Sequence, residues 1–258
     1  MSFMLCETGK EEDLKNLKDY VFERKLDGTR ALAYIQQEGS VRLYNRNGLE
    51  IQKRYPDVVK QLSIIKDDVV LDGEIIADSF ETLQIRNSQM SDLDIRIKSK
   101  MYPAKFIAFD CLVYNQENIK VKPLKQRKKF MTLLHAKYGL ERLDYTDDYE
   151  KLLEQGKIEG WEGIIAKKFN SIYTQDRSWD WIKVKFFKEA EISFNGYEVN
   201  PAGITLTNDA GERVQCAGYQ SVEVKKKIDE KGIALCNIQY LERTSNNRLR
   251  KPSFRGLI

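Results

Sequence analysis

The sequence predicts an α+β fold, with mainly antiparallel sheets and flanking helices over residues 1–187 and a small β-barrel over residues 188–258. Three observations lead there. Strand-like and helix-like segments interleave up to about Lys185, yet neither G-x-G-x-x-G nor a phosphate-loop pattern occurs, which argues against a doubly wound parallel sheet. After Lys188 the character changes to short strands with one helix, as suits a closed barrel of the OB type. The chain of 258 residues, 41% hydrophobic and 32% charged, is long enough for two domains and too apolar for a disordered segment.

In order, Glu11–Tyr20 reads as a short helix with Leu14 and Leu17 on one face. Val21–Lys25 is a strand feeding the loop at Asp27-Gly28. Thr29–Gln36 and Val41–Asn45 form a hairpin about the turn Gln37-Glu38-Gly39-Ser40. Tyr55-Pro56-Asp57 opens a helix to about Ile64, with proline tolerated in its first turn. Asp68–Ala77 and Lys105–Tyr114 are apolar strands. Leu124–Leu140 is a basic amphipathic helix, and Thr146–Gln155 a second one, capped by Thr146 and ending near Gly156. Gly163–Lys168 and Trp181–Phe186 close the first part, and the boundary falls near Phe187–Glu189. Beyond it, Glu191–Val199, Ile204–Thr207, Arg213–Gly218 and Ile233–Glu242 are strands, with a helix over Ser221–Lys231.

Composition excludes several classes. Lysine plus arginine number 43 against 39 acidic residues, a net of +4, too mild by itself to demand a nucleic-acid partner. The apolar runs are too short for a transmembrane helix. Met1–Lys10 has neither a basic start nor an apolar core, so it does not read as a secretory signal. Cys6, Cys111, Cys216 and Cys236 never form C-x-x-C, which disfavours a zinc site or disulfide framework and points to a reducing, cytoplasmic setting. The single histidine, His135, lies in a helical run and reads as structural, so Ser-His and Cys-His nucleophiles lack support.

A lysine nucleophile is better supported. Glu23-Arg24-Lys25-Leu26-Asp27-Gly28-Thr29-Arg30 places Lys25 between a strand and a glycine turn, and Lys25 is read as attacking a phosphorus atom of a nucleotide. A lysine amine of ordinary pKa, ~10.4, is mostly protonated at neutral pH, so such attack needs burial or neighbouring cations. Arg30, Lys183 and Lys185 are candidate cations, the last two on one face of a strand. They would also neutralise charge on departing pyrophosphate. Glu74 and Glu162, at glycine-marked strand ends, suit a hard divalent cation. Phe109 on a buried strand can stack on a base. Glu23 can accept from an exocyclic amine, which adenine has and the O6 of guanine lacks. Lys122, Lys125, Arg127, Lys128 and Lys129 form a basic run that reads first as a solvated helix face and second as a DNA contact, and Lys225-Lys226-Lys227 reads the same way.

Taken together, these stretches resemble the ATP-dependent DNA ligases of the covalent nucleotidyltransferase superfamily. Lys25-Leu26-Asp27-Gly28-Thr29-Arg30 is similar to the family's K-x-D-G-x-R, implying Lys25 as the adenylated residue. Arg46 in Asn45-Arg46-Asn47-Gly48 resembles the motif Ia arginine, implied at the adenylate and the nick phosphate. Asp72-Gly73-Glu74 resembles motif III, implying Glu74 at the ribose or metal. Phe109-Asp110 resembles motif IIIa, implying an adenine stack. Glu162-Gly163-Ile164-Ile165-Ala166-Lys167 resembles motif IV, implying Glu162 at the metal. Arg177 followed by Trp181-Ile182-Lys183-Val184-Lys185 resembles motif V and its preceding arginine. Phe80–Arg86 resembles a segment common in DNA ligases, which favours DNA over RNA and implies Arg86 at nucleic acid. Leu249-Arg250-Lys251-Pro252-Ser253-Phe254 resembles the start of motif VI, implying Arg250 at nucleic acid. The further motif VI arginine would align at Ile258, so either Arg248, Arg250 or Arg255 substitutes or self-adenylation is slow.

The resemblance implies an adenylation domain joined to an OB-fold domain, with ATP as cosubstrate and Mg²⁺ or Mn²⁺ as metal. It implies a monomer of prokaryotic or viral origin, acting on nicked duplex DNA. With 24 residues ahead of Lys25, the reading is a minimal ligase without a long N-terminal DNA-binding domain. An ATP-dependent RNA ligase or an mRNA-capping guanylyltransferase is the nearest alternative, and Glu23 argues against the latter. A degenerate, non-catalytic nucleic-acid-binding relative is the other, and the intact lysines and glutamates argue against it.

Overall fold

β5, Val69–Ile76, runs through the centre of a five-stranded sheet, and the chain around it is arranged to cover both its faces. The structure is a computed structural model and describes residues 3–88 and 91–258, so Met1 and Ser2 of the Met1–Lys10 stretch lie outside it. It divides into two compact units between Val184 and Lys185, a few residues before the boundary read from sequence.

The first unit opens with β1 (Leu5–Thr8), a single-turn α1 (Glu11–Leu14) and β2 (Tyr20–Arg24). β3 (Thr29–Ile35) and β4 (Val41–Asn45) follow, then α2 (Pro56–Leu62), β5, α3 (Phe80–Asn87), α4 (Asp92–Met101), β6 (Lys105–Tyr114) and the short β7 (Glu117–Asn118). α5 (Leu124–Tyr138), α6 (Tyr149–Ile158), β8 (Gly163–Lys168) and β9 (Arg177–Lys185) complete it. One sheet has the order β4-β3-β5-β6-β7 and is antiparallel; the other has the order β1-β9-β8-β2, in which β1 runs parallel to β9 and β2 antiparallel to β8.

The central strands are apolar on both faces because both faces are covered. Ala31, Ala33, Leu71, Ala108 and Cys111 pack with Val58 and Leu62 of α2 and with Met131 and Leu134 of α5. The alternate residues Leu32, Val70, Phe109 and Leu112 pack with Phe3, Met4, Tyr173 and Trp181. Gly73 sits beside a β-bulge, and a Cβ there would meet the Phe106 ring at 2.3 Å and the Ile107 carbonyl at 2.6 Å. Only glycine lets β6 lie that close.

The second unit contains β10 (Lys188–Phe194), β11 (Gly196–Asn200), β12 (Gly203–Thr207), β13 (Arg213–Ala217) and α7 (Tyr219–Lys231). β14 (Ala234–Tyr240), β15 (Glu242–Arg243), β16 (Leu249–Arg250) and β17 (Ser253–Leu257) follow. Its sheets are β10-β14-β17, β11-β12-β13 and the ribbon β15-β16. Phe194, Leu206, Val214, Val224, Cys236 and Ile238 form a core of its own.

Several elements differ from the sequence reading. The helix expected over Glu11–Tyr20 stops at Leu14, and Tyr20 already begins β2. α6 starts later than expected: Asp148, not Thr146, accepts from the Lys151 amide at 3.0 Å, while Thr146 bridges to Phe22. Gly156 lies inside that helix and is buried. The strand expected over Glu191–Val199 is two strands, divided at Asn195. Among the described residues no helix is long and apolar enough to cross a membrane.

The basic run on α5 is the larger correction. Arg127 and Lys128 are buried, not solvated. Arg127 donates through Nε and Nη2 to both Asp110 oxygens, at 2.9 and 2.8 Å, with both side chains fully out of water. Its remaining nitrogen donates to the carbonyls of Lys122 and Ser171. Removing one member of such a pair strands the other charge in the interior. Arg127→Leu therefore destabilises the first unit by about 3–5 kcal/mol. Denaturant unfolding reads this loss, and an unchanged midpoint would count against a structural pair.

Candidate active site

Strand register brings the singled-out residues to one cleft. β2 pairs antiparallel with β8, with Arg24 opposite Ile164, and the Lys25 amide donates to the Gly163 carbonyl at 2.9 Å. Glu162, just ahead of β8, is thereby set across from Lys25, and the Lys25 ammonium pairs with its carboxylate. Across the other sheet Arg30 of β3 stands opposite Glu74 of β5. Gly28 makes the closure possible, since a Cβ there would lie 2.3 Å from the Ile75 carbonyl and 2.6 Å from Glu74 Cγ. The result is a cleft of about 220 Å³ whose lining includes Glu23, Lys25, Arg30, Arg46, Glu74, Phe109, Lys167, Arg177 and Lys183.

Electrostatics in the cleft are uneven. Arg30 donates to both oxygens of fully buried Asp72, at 3.0 and 2.7 Å, and the Tyr173 hydroxyl donates to the same carboxylate at 2.7 Å. Burial works to lower the Arg30 pKa, but the charge and hydrogen bonds of Asp72 override it and the net shift is upward. The guanidinium also lies over the rings of Phe3, Phe109 and Trp181, at 5.0, 5.3 and 5.6 Å. Among the described residues Glu74 has no such anchor. Burial pushes its carboxyl up to about 8, against the pull of Lys25 and Arg30 and with the push of Asp72 and Glu162.

Phe109, Glu23 and Lys167 meet in one part of the cleft. The Phe109 ring meets Trp181 edge-on with centroids 6.1 Å apart. Lys167 Nζ lies 4.2 Å from the centre of each ring and 2.7 Å from a Glu23 oxygen. The second Glu23 oxygen accepts from Lys128. Burial lowers the Lys167 pKa, partly offset by Glu23. Glu23 is thus an acceptor already engaged on both oxygens, each retaining a second lone pair for a ligand donor.

Other expected residues fall differently. Arg46 is exposed in the turn after β4, held open by the Asn45 side chain, which accepts from the amides of Asn47 and Leu49. Arg177 lies beside β1 and donates to the Cys6 carbonyl. Lys185 follows Lys183 on β9 but belongs to the second unit. Arg250, in β16, donates to Glu242 at 2.6 Å. Arg86 is a correction. It is fully buried, bidentate to Asp57 at 2.9 Å through two nitrogens, and it donates to the carbonyls of Arg54 and Tyr102. It joins α2 and α3 and cannot reach a nucleic acid without unfolding that junction. Among the described residues no group of three or more His, Cys, Asp or Glu side chains is set to hold a metal ion.

Lys128, Lys167, Asp72 and Tyr173 are the contributors not singled out from sequence for the site. Lys167 had a visible signal: it lies two residues after Ile165 on β8 and so shares its face, and both line the cleft.

Comparison with known proteins gives the family. A sequence model of the ATP dependent DNA ligase domain matches residues 3–185. The bifunctional non-homologous end joining protein LigD of Bacillus subtilis is 29% identical over 215 residues, 73% of this chain and 35% of that protein. The chain therefore spans about a third of that relative's length. The SPbeta prophage-derived DNA ligase-like protein LigB of the same organism is 27% identical over 268 residues, 93% of each chain. The crystal structure of the ligase domain from M. tuberculosis LigD, 24% identical, superposes with a TM-score of 0.65 over 100% of this chain and 95% of its own, a likeness of fold. With residues 3–185 matched, the chain belongs to the ATP-dependent DNA ligase domain family.

Proposed function

We propose that this chain is an ATP-dependent DNA ligase that seals nicks between a 3′-hydroxyl and a 5′-phosphate in duplex DNA. The observation that carries the reading is Lys25 at a cleft with Glu162 on its ammonium and with Glu74, Arg30 and Lys183 around it. Lys25 Nζ attacks the α-phosphorus of ATP, forming an N–P bond as the P–O bond to pyrophosphate breaks. Attack needs the free amine, and Glu162 is the carboxylate in place to take its proton. Arg46, Arg177 and Lys183 line the cleft as cations able to neutralise phosphate oxygens. AMP then passes to the 5′-phosphate at the nick, and the 3′-hydroxyl displaces it. All three steps are phosphoryl transfers, in which position and charge stabilisation dominate.

Glu74 and Glu162 fit a Mg²⁺ ion, which takes one or two carboxylates and completes its shell with substrate phosphates and water. When bound it would supply charge neutralisation on the triphosphate. The second unit reads as a barrel of the OB type. In support, the path β11-β12-β13 continues beside β17, which pairs with β14 and through it with β10, and α7 is inserted between β13 and β14. Lys185 and Arg250 of that unit, with Arg46, are assigned to nucleotide and DNA phosphates, and the protein acts as a monomer.

Incubation with labelled ATP, then with nicked DNA or nicked RNA, tests the reading. Lys25→Ala is expected to abolish the covalent AMP adduct, seen as loss of label on a denaturing gel; a surviving adduct would overturn the central assignment. A GMP adduct or sealing confined to RNA would favour the alternatives.

Nick binding is expected to weaken steeply with salt, because phosphate contacts carry it. A titration with a flat salt response contradicts that.

The Glu74 shift has a consequence for stability. Its folded pKa, about 8, is above the ordinary 4.5, so between those values the folded chain holds a proton that the unfolded chain has lost. Stability from this group is thus full at low pH and is lost as pH rises toward 8. In metal-free buffer Glu74→Gln is expected to flatten that decline in denaturant midpoint, and an unchanged slope would refute the assignment.

A further inference from the structure

Two adjacent residues of α5 grip two adjacent residues of β6. Arg127 holds the Asp110 carboxylate, and Lys128 Nζ donates to the Phe109 carbonyl at 2.8 Å. The same Lys128 ammonium also holds one oxygen of Glu23 on β2. Lys128 is buried, is absent from the cleft lining, and has the Tyr145 ring 5.4 Å behind it. One charged group therefore fastens together the side chain positioned to read a base edge and the backbone of the ring positioned to stack on its face. Lys167, on the other Glu23 oxygen, lines the cleft.

We infer that Lys128 is a positioning residue for purine selection: by fixing Glu23 relative to Phe109, it sets the carboxylate to accept from the 6-amino group of adenine. The inference rests on the ligase reading above. A buried carboxylate held by a single lysine would turn toward that lysine. Held from two sides, it keeps its remaining lone pairs in a fixed direction, which is what discrimination by a hydrogen bond requires. The role predicts an effect specific to the amino group. A residue that merely supported the fold would alter all nucleotides alike.

The test is covalent labelling of Lys25 by ATP and by purine riboside triphosphate, which lacks the 6-amino group, with kcat and KM measured for each. Lys128→Met is expected to lower the ATP-to-purine ratio of kcat/KM by ~10-fold, through KM for ATP, as for a lost hydrogen bond to a charged group. Lys128→Arg is expected to restore most of it. Because Lys128 acts through Glu23, the double variant Glu23→Gln/Lys128→Met is expected to show the ratio of Glu23→Gln alone. A folded Lys128→Met protein with the wild-type ratio, or losses that multiply in the double variant, would overturn the inference. If Lys128→Met does not fold, Lys128→Gln, a shorter side chain that removes the charge holding Glu23 but stays polar, carries the same test: its ratio must fall, and an unchanged ratio refutes the role. Wild-type protein that takes no label from ATP overturns the ligase reading, whereas a labelled wild type with an unaltered ratio in the variants removes only Lys128.

Discussion

Glu23, Asp72 and Asp110 are carboxylates held almost wholly out of water, and the first unit is built around keeping each of them paired. An ionised carboxylate in a protein interior costs several kcal/mol unless cations and hydrogen-bond donors replace its water. Asp72 is answered by Arg30 and Tyr173, Asp110 by Arg127, and Glu23 by Lys128 and Lys167. Each pairing joins elements distant in sequence: β5 to β3 and the segment before β9, β6 to α5, β2 to α5 and β8. The polar lattice therefore specifies how the two sheets and α5 meet, where an apolar core alone would tolerate sliding.

The same lattice grades the cleft. Arg30 is held by Asp72 inside the protein, while Lys25, Arg46, Arg177 and Lys183 are among the other cations that line the cleft. Glu162 pairs with Lys25, and burial leaves Glu74 reluctant to ionise. A polyanion with a hard cation suits this arrangement, because it supplies positive charge to the glutamates and negative charge to the lysines at once. Two glycines make the geometry possible: Gly28 lets the Lys25 loop lie against Glu74, and Gly73 lets β6 approach β5.

Much of this was legible in local pattern. The turn at Gln37–Ser40 marked the hairpin of β3 and β4, and apolar runs marked β5 and β6, because both faces of those strands are covered. The glycine-flanked Lys25, Glu74 and Glu162 marked the cleft, because close backbone approach and charge both leave a trace in residue type. The charge on α5 was misread although its period was informative. Leu124, Arg127, Lys128, Met131 and Leu134 lie on one helical face, and that face is buried. Charge argued for solvent, periodicity argued for the interior, and partners far along the chain made the interior affordable for both cations. Arg86 was misplaced for the same reason, since Asp57 is 29 residues away and only the folded chain brings it to the guanidinium.

By itself the sequence determined most of the larger strands and helices, a candidate nucleophile, and the residue types that a nucleotide requires, all of them properties of short stretches. Tertiary structure decided which charges face the cleft and which are consumed inside. Residue type does not distinguish Lys128, paired to a carboxylate 105 residues away, from its exposed neighbours Lys125 and Lys129; only its place on the apolar face of α5 does. A charge is assigned to solvent or interior by whether a counter-charge arrives across the fold to replace its water, and that arrival exists only once the sheets and α5 have packed.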